Sequence, residues 1–225
     1  MYRGVVNVNR DAFILFLRYP EKGVVKTRLA AALGEDRTYE LYRCFLVDLS
    51  VMVREVKAAT IIVYSGPAGA VFPEFPGVMC LRQRGDDLGD RLYFALEDVL
   101  ALGFDRLVLA GSDIPDLPPA FVNEALNRLA AADIVLGPGT DGGYYLIGCR
   151  RGGLNRAIFS GIPWSTPRVL SETLARAAKV NMAAWLLPEW SDIDDLEDLQ
   201  QFYERNAHRA ASSRVMKFLK SKVWE

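Results

Sequence analysis

The segment at 106–117 constrains the fold of this chain more than any other. It reads RLVLAGSDIPDL, a short apolar run that ends in Gly-Ser-Asp at 111–113, after which Pro115 stops the strand from continuing. The pattern predicts a buried strand that carries one carboxylate, Asp113, at its carboxyl end. Ligands of open α/β sheets bind outside those ends, so Asp113 is a candidate catalytic or metal-binding residue. Alternatively, it forms a turn before proline or caps a helix.

A second strand end of this kind lies near the start of the chain. The apolar run at 12–17 leads into RYPEKGVVKTRL at 18–29. Glycine lets the backbone approach a ligand, lysine supplies a point charge, and arginine can bind two phosphate oxygens. The candidate phosphate contacts are Gly23, Lys26, Arg28 and Arg18. The alternative is a surface turn and a helix with solvated Lys and Arg, but two such strand ends together favour a site for a metal-bound phosphate ester.

Composition bounds the class of protein. The 225 residues suffice for one substantial core, so we expect a single domain over 1–225. A net charge of -1 argues against general nucleic-acid binding. No apolar run approaches the roughly 20 residues that span a bilayer, and residues 1–10 lack the long apolar region of a signal peptide.

The cysteines and the histidine exclude further chemistry. Cys44, Cys80 and Cys149 have no zinc-type spacing, so we expect three buried free thiols and a reducing, cytoplasmic setting. The only histidine is His208, which excludes a multi-histidine metal site and disfavours a Ser-His-Asp triad. Carboxylates, Lys, Arg and hydroxyl groups remain for catalysis.

Strand-like and helix-like segments alternate, which predicts βαβ units and a mainly parallel sheet. Besides the strand before Asp113, we expect strands at 12–17, 60–64, 78–81, 133–137, 144–148 and 180–187. We expect helices at 26–33, 37–58, 90–101, after 118–119, at 166–178, after 192–195 and in the basic tail 207–225. The strand at 144–148 follows its predecessor too closely for a crossover helix and should break the alternation. The tail is a dimer contact, which would make a homodimer, or merely a terminal helix.

The loop at 137–143 contains four glycines around one acid, Asp141. We interpret it as a surface for close approach of substrate at Gly142 and Gly143, with Asp141 as a base or a partner of a hydroxyl group. A hairpin with a bulge is the alternative.

Other candidates have two interpretations each. Asp192 and Asp194 contact a metal or a sugar, or else stabilise the start of a helix. Trp164 and Ser165 line an acceptor pocket, or Trp164 packs in the core. Asp116 is expected to cap the helix that Pro118 and Pro119 open.

Five motifs in this order resemble a known family. They are FLRYP at 16–20, Gly23 with KTRL at 26–29, GSDIPDL at 111–117, GP at 137–138 with DGGYYLIG at 141–148, and IPWST at 162–166. The series is similar to a bacterial glycosyltransferase-like family of GT-A fold, long described as a domain of unknown function, some of whose members are linked to arsenosugar biosynthesis. The family belongs to the nucleotide-diphospho-sugar transferase superfamily, and the resemblance covers about 12–202.

The resemblance implies a three-layer α/β/α sandwich that binds a nucleotide at the carboxyl ends of the strands, with Mg²⁺ or Mn²⁺. Gly23, Lys26 and Arg28 would then face phosphate, and Asp113 would hold the metal. Asp194 ends an Asp-Ile-Asp that resembles the one before the last helix of nucleotidyltransferase relatives. The chain lacks the Asp-x-Asp of many glycosyltransferases at the Asp113 strand end.

Three functions are compatible with these patterns. The first is metal-assisted glycosyl transfer from a nucleotide-diphosphate sugar to a small acceptor, with Asp113, Lys26 and Asp141 as catalytic candidates. The second is nucleotidyl transfer from a nucleoside triphosphate to a phosphorylated small molecule, because 26–29 is distantly similar to phospholactate guanylyltransferases. The third is a nucleotide-binding module without turnover. Fold alone does not choose between them.

Overall fold

The computed structural model of the protein describes residues 10–209 and 211–224. Residues 1–9, where we expect no signal peptide, and residues 210 and 225 of the tail lie outside the described residues. The strands are β1 (Asp11–Arg18), β2 (Ala59–Ser65), β3 (Met79–Arg82), β4 (Arg106–Gly111), β5 (Ile134–Pro138), β6 (Tyr144–Arg150) and β7 (Ala184–Leu186). The α-helices are α1 (Thr27–Leu33), α2 (Glu35–Met52), α3 (Leu88–Ala101), α4 (Pro119–Arg128), α5 (Val169–Lys179), α6 (Leu196–Arg205) and α7 (Arg214–Lys222).

The seven strands form one sheet in the order β3-β2-β1-β4-β6-β5-β7. Every neighbouring pair is parallel except the two that β6 makes with β4 and β5, so the prediction of a mainly parallel sheet is confirmed. As predicted, β6 returns directly from β5 and breaks the alternation. The carboxyl ends of β1, β4, β5 and β7 consequently meet at one edge of the sheet, beside the start of β6.

Alternate residues of the central strands enter two separate cores. On β1, Phe13 and Leu15 pack on one face and Ala12 and Ile14 on the other, all of them inaccessible to solvent. The first core also contains buried side chains of α2, α4, α6 and α7, and the second contains those of α3 and α5. Because helices cover both faces, the fold is the three-layer α/β/α sandwich that the resemblance implies.

Several boundaries differ from those expected. The helix expected over 37–58 is α2, which gives way to a 3-10 turn at Val53–Glu55 before β2. The strand expected over 180–187 is the three-residue β7, because this edge strand pairs with β5 alone. The helix expected over 166–178 begins three residues later, at Val169, after a turn in which Thr166 Oγ1 donates to the Pro163 carbonyl.

The tail is a terminal helix bound to its own chain. Asp48 on α2 accepts hydrogen bonds from the hydroxyl of Ser213 and from the N–H groups of Arg214 and Val215. Val215, Met216 and Leu219 of α7 are fully buried. The expected homodimer stays a prediction.

The described residues include no helix with the length and apolar character to cross a membrane. Cys44 and Cys149 are buried free thiols as expected, whereas Cys80 is only half-buried because it lies on the edge strand β3. Burial raises the pKa of Cys149 to about 12, so this thiol stays protonated and is no nucleophile at neutral pH.

Candidate functional site

A buried ammonium group joins two carboxylates where the strands end. Lys26 Nζ lies 2.7 Å from Oδ2 of Asp113 and 2.9 Å from Oδ1 of Asp194. The Lys26 side chain is 6% exposed, whereas those of Asp113 and Asp194 are 37% and 49% exposed. Burial alone would lower the pKa of Lys26, but the two carboxylates outweigh it and hold that pKa above its ordinary value. Lys26 is therefore a fixed positive charge at neutral pH.

The backbone at Lys26 is unusual for a residue with a side chain. Lys26 precedes α1 with φ 51° and ψ 50°, the left-handed region. Ser165, which lines the same site, also has a positive φ of 62°. Such conformations cost energy and persist where the surrounding structure enforces them, which is common at functional sites.

Two main-chain hydrogen bonds bring the segment 190–194 to this edge. The N–H of Trp190 donates to the carbonyl of the last residue of β5 at 3.0 Å. The N–H of Ile193 donates to the Asp113 carbonyl, also at 3.0 Å. Ile193 is fully buried, whereas Asp192 and Asp194 on either side of it line the site. The two acids thus face the site and not the protein core.

The start of α6 is capped by two other acids. The Asp195 carboxylate accepts from the N–H groups of Glu197 and Asp198, and the Asp198 carboxylate accepts in return from the N–H of Asp195. The capping role is therefore filled without Asp192 and Asp194.

The expectation that Asp116 caps α4 is wrong. Its carboxylate, 3% exposed, accepts at 2.7 Å from Arg205 Nε and at 2.7 Å from Asn206 Nδ2. It also accepts from the Trp190 indole at 3.4 Å. Nearby prolines suggested a local cap, but the partner, Arg205, comes from the end of α6. Asp116 therefore ties the loop after β4 to the end of α6 and, more weakly, to Trp190.

Replacing Asp116 by alanine is expected to lower the free energy of unfolding by about 3 kcal/mol, because a largely buried Arg205 guanidinium loses its carboxylate. Urea denaturation measures the change. Asp105→Ala is the matched control, since Asp105 forms exposed pairs with Arg10 and Arg151 that should be worth less than about 1 kcal/mol. Equal costs for the two variants would contradict an anchoring role for Asp116.

A cavity of about 610 Å³, which we call the cationic cleft, lies on the β1 side of Lys26. Among the described residues, four cations and two acids line it: Arg18, Lys26, Arg28, Arg91, Asp113 and Asp194. Its neutral polar lining includes Ser65 and Gln83. The excess of positive charge suits the cleft to phosphate groups.

A second cavity of about 480 Å³, which we call the acidic pocket, lies on the other side of the same ion pairs. Its charged lining among the described residues is Arg28, Asp113, Asp141, Asp192 and Asp194. Burial, followed by the charge of Asp194, raises the pKa of Asp192 to about 6, although Lys26 opposes the shift. Asp192 nevertheless remains mostly ionised at neutral pH, and the four acids of this lining outnumber its one cation, so the pocket holds an excess of negative charge.

Aromatic and aliphatic side chains form the walls of the acidic pocket. The rings of Tyr144 and Trp164 meet edge to face, with centroids 6.2 Å apart, and Leu92, Leu109 and Ile147 contribute aliphatic surface. Trp164 also lies close to Gly89 on α3 and packs partly against the second core, while its role in binding an acceptor stays a prediction.

The remaining predicted residues lie around these cavities. Gly23 has φ 73° and shapes the turn but does not itself line the cleft, whereas the next residue, Val24, does. Arg18 lines the cleft and donates to the Val24 carbonyl. Gly143 lines the acidic pocket and its N–H binds Asp141 Oδ1 at 2.8 Å, which orients that carboxylate. Arg91, which lines the cleft from the first turns of α3, was not among the residues predicted from the sequence.

Gly142 is the point where the glycine loop meets the segment that carries Trp164. Its φ is 84°, and a Cβ atom there would lie 2.3 Å from the Pro167 carbonyl oxygen. The Gly142 carbonyl also accepts from the N–H of Leu170 at 3.0 Å. This close backbone contact positions one wall of the acidic pocket.

Gly142→Ala is expected to destabilise the fold more than Gly103→Ala, by about 1–3 kcal/mol. Gly103 has a comparable φ of 100° and no atom near its absent Cβ, so it carries the backbone penalty without the clash. Urea unfolding of both variants isolates the clash with Pro167, and the intrinsic fluorescence of the four tryptophans, of which Trp164 lies on the contacting segment, should shift in Gly142→Ala alone. Equal free energies of unfolding for the two variants would show that the backbone at Pro167 moves away from the new Cβ atom at no energetic cost.

Comparison with known proteins adds a sequence family and a set of related folds. The family described as "Uncharacterized protein conserved in bacteria (DUF2064)" matches residues 48–166. A crystal structure from Desulfovibrio desulfuricans G20, provisionally named a nucleotide-diphospho-sugar transferase, has a TM-score of 0.88 and 35% sequence identity and covers 94% of each chain.

Two more distant proteins are also similar. The 2-phospho-L-lactate guanylyltransferase of Methanothermobacter thermautotrophicus is 29% identical over 119 residues, which are 52% of this chain and 53% of that protein. The match thus spans about half the length of that relative. A manganese complex of Rv0371c from Mycobacterium tuberculosis H37Rv has a TM-score of 0.51 at 16% identity, covering 86% of this chain and 98% of the other, and shares the fold.

Proposed function

We propose an activity for this chain, which belongs to the bacterial family described as "Uncharacterized protein conserved in bacteria (DUF2064)", from the geometry and charge of its candidate site. It is a transferase of the nucleotide-diphospho-sugar transferase superfamily. It transfers a sugar from a nucleotide-diphosphate sugar to a small acceptor, with the assistance of a divalent metal ion. The observation that carries the proposal is the buried Lys26 ammonium between a cationic cleft and an acidic pocket.

The cationic cleft receives the diphosphate of the donor. Arg28 lies where the two cavities adjoin and can bind phosphate oxygens in a bidentate way. Lys26 adds a preorganised charge that does not have to be dehydrated at the moment of reaction. Both groups favour the negative charge that develops on the leaving nucleoside diphosphate.

The donor atoms at the site suit Mg²⁺ or Mn²⁺. Lys26 engages one oxygen of Asp113 and one of Asp194, and both carboxylates are solvent-accessible, so each has a second oxygen for another partner. No three His, Cys, Asp or Glu side chains in the described ranges form a self-sufficient metal site. Mg²⁺ commonly takes one or two carboxylates together with substrate phosphates, which fits this pair. When bound, the ion would neutralise charge on the diphosphate.

The acceptor hydroxyl is activated on the acidic side. The acceptor oxygen forms a bond to the anomeric carbon while the bond from that carbon to the diphosphate oxygen breaks, and the electron pair stays on the leaving diphosphate. Asp141 takes the acceptor proton; its carboxylate lines the pocket and is oriented by the N–H of Gly143. The 35% identical D. desulfuricans protein, provisionally named a nucleotide-diphospho-sugar transferase, supports sugar transfer as the class of reaction.

Nucleotidyl transfer is the second candidate, favoured by the match to the guanylyltransferase. In that reaction an acceptor oxygen forms a bond to the α-phosphorus of a nucleoside triphosphate and pyrophosphate leaves. The same cationic cleft would bind the triphosphate, so the leaving group distinguishes the two reactions.

Calorimetric titration with nucleoside diphosphates, nucleotide-diphosphate sugars and triphosphates, each with Mn²⁺ and with a chelator, tests the proposal. We expect metal-dependent binding of a nucleotide-diphosphate sugar, followed by release of nucleoside diphosphate when an acceptor is added. Preference for a triphosphate with release of pyrophosphate would replace this function by nucleotidyl transfer. Binding of nucleotides without any turnover would indicate a regulatory module.

A further inference from the structure

The two cavities of the site have opposite charge. Among the described residues, the cationic cleft is lined by four basic and two acidic side chains. The described lining of the acidic pocket has four acidic side chains and one basic side chain. The single cation of the pocket, Arg28, also lines the cleft. Charge thus changes sign across the Lys26 ion pairs.

The negative charge of the pocket persists when a metal ion is held. Asp113 and Asp194 are the residues that fit a metal, whereas Asp141 and Asp192 lie outside that pair and line the pocket. Asp192 is half-buried in the pocket wall, so an anion beside it would be screened less than beside an exposed carboxylate. An acceptor that carries phosphate or carboxylate would be repelled there.

The walls of the pocket favour a different kind of molecule. Carboxylates accept hydrogen bonds from hydroxyl and amino groups, and the edge-to-face pair of Tyr144 and Trp164 offers flat apolar surface to C–H groups. A cavity of about 480 Å³ lies within the range of small-molecule sites. Hydroxyl-rich or amino-bearing molecules of sugar size satisfy both features.

We propose that the acidic pocket selects an acceptor without phosphate or carboxylate groups, one that presents several hydroxyl or amino groups. This inference rests on the proposed transferase function and adds the class of its second substrate. It also separates this chain from its guanylyltransferase relative, because 2-phospho-L-lactate, which carries both excluded groups, does not fit the pocket.

Matched pairs of acceptors test the inference. With the donor that binds in calorimetry, kcat/KM is compared for glucosamine and glucosamine 6-phosphate, and for glycerol and glycerol 3-phosphate, with 2-phospho-L-lactate as a further probe. We expect the member of each pair without phosphate to be preferred by about tenfold or more, and 2-phospho-L-lactate to be inactive. A phosphorylated member used equally well or better would overturn the inference.

Variants of Asp192 connect the preference to the pocket. Asp192→Asn should reduce the discrimination within each pair several-fold, and Asp192→Lys should reduce it further, whatever the effect on overall rate. Glu189 is exposed, lies three residues before Asp192 and lines neither cavity. Glu189→Gln therefore removes a nearby charge and should leave the ratio of kcat/KM values within each pair unchanged. Circular dichroism confirms that each variant is folded. Discrimination that is unchanged in both Asp192 variants would contradict selection by this pocket.

Donor binding keeps this inference separable from the proposed function. If a nucleotide-diphosphate sugar binds but phosphorylated acceptors react best, the inference fails and the transferase function stands. If no nucleotide-diphosphate sugar or triphosphate binds with or without metal, the proposed function fails and the inference falls with it.

Discussion

Lys26→Met is expected to lower turnover by about 100-fold or more while the protein remains folded. The variant keeps the length and apolar part of the side chain but removes the ammonium that contacts Asp113 and Asp194. Preorganised charge at the leaving group contributes on the order of 100- to 1,000-fold in comparable sites. Steady-state release of nucleoside diphosphate measures the loss, and calorimetry measures the accompanying loss of donor affinity.

Lys22→Met is the matched control in the same loop. Lys22 is exposed and pairs with Asp36 on α2, outside both cavities. Turnover of this variant should stay within about twofold of the native protein, because exposed ion pairs contribute little. Comparable losses in the two lysine variants, or native turnover in Lys26→Met, would assign Lys26 a structural role only.

The pH range of the comparison follows from the pKa of Lys26. That pKa is raised in the folded state above its ordinary value of 10.5, so the ion pairs are fully formed below pH 10.5 and are lost only as pH rises through the raised value. Measurements between pH 6 and 9 therefore compare a charged Lys26 with methionine, and any pH dependence of the native protein in that range comes from other groups.

The sequence predicted that Asp113 and the loop before Lys26 would meet, and the reason is topological. Both follow strands of a parallel sheet, and parallel neighbours end at the same edge; β1 and β4 are indeed adjacent. A buried strand and a following turn with a glycine and basic residues are local patterns that a single sequence contains. The local pattern did not show that the Lys26 side chain is buried against Asp113. It was equally compatible with a surface turn in which Lys26 is solvated.

Long-range partners explain what the sequence did not predict. Asp116 was expected to cap the next helix because the nearby prolines are visible locally, whereas Arg205 approaches it only once α6 has packed on the sheet. Asp194 was proposed as a metal or sugar contact from the acids that precede the last predicted helices, yet its position depends on the Ile193–Asp113 backbone bond. The opposite charges of the cationic cleft and acidic pocket arise only when residues from many elements combine.

Asp113→Asn is expected to abolish the effect of Mn²⁺ on donor binding and to lower turnover about 100-fold or more, because the amide is a neutral, poorer metal ligand. The replacement conserves shape and an oxygen that can still accept from Lys26. Titrations with Mn²⁺ and with chelator measure the metal dependence. Asp36→Asn, at an exposed position on α2, controls for the loss of one carboxylate.

A double-mutant cycle decides how Asp113 acts. If its carboxylate serves only to hold Lys26, then Asp113→Asn costs nothing further in the Lys26→Met background, since the partner is already gone. If it also holds a metal ion, the double variant loses metal dependence that Lys26→Met alone retains. We expect the second result, because Asp113 is solvent-accessible and only one of its oxygens engages Lys26. Metal dependence that survives in the double variant would assign the metal to other residues and reduce Asp113 to an ion-pair partner.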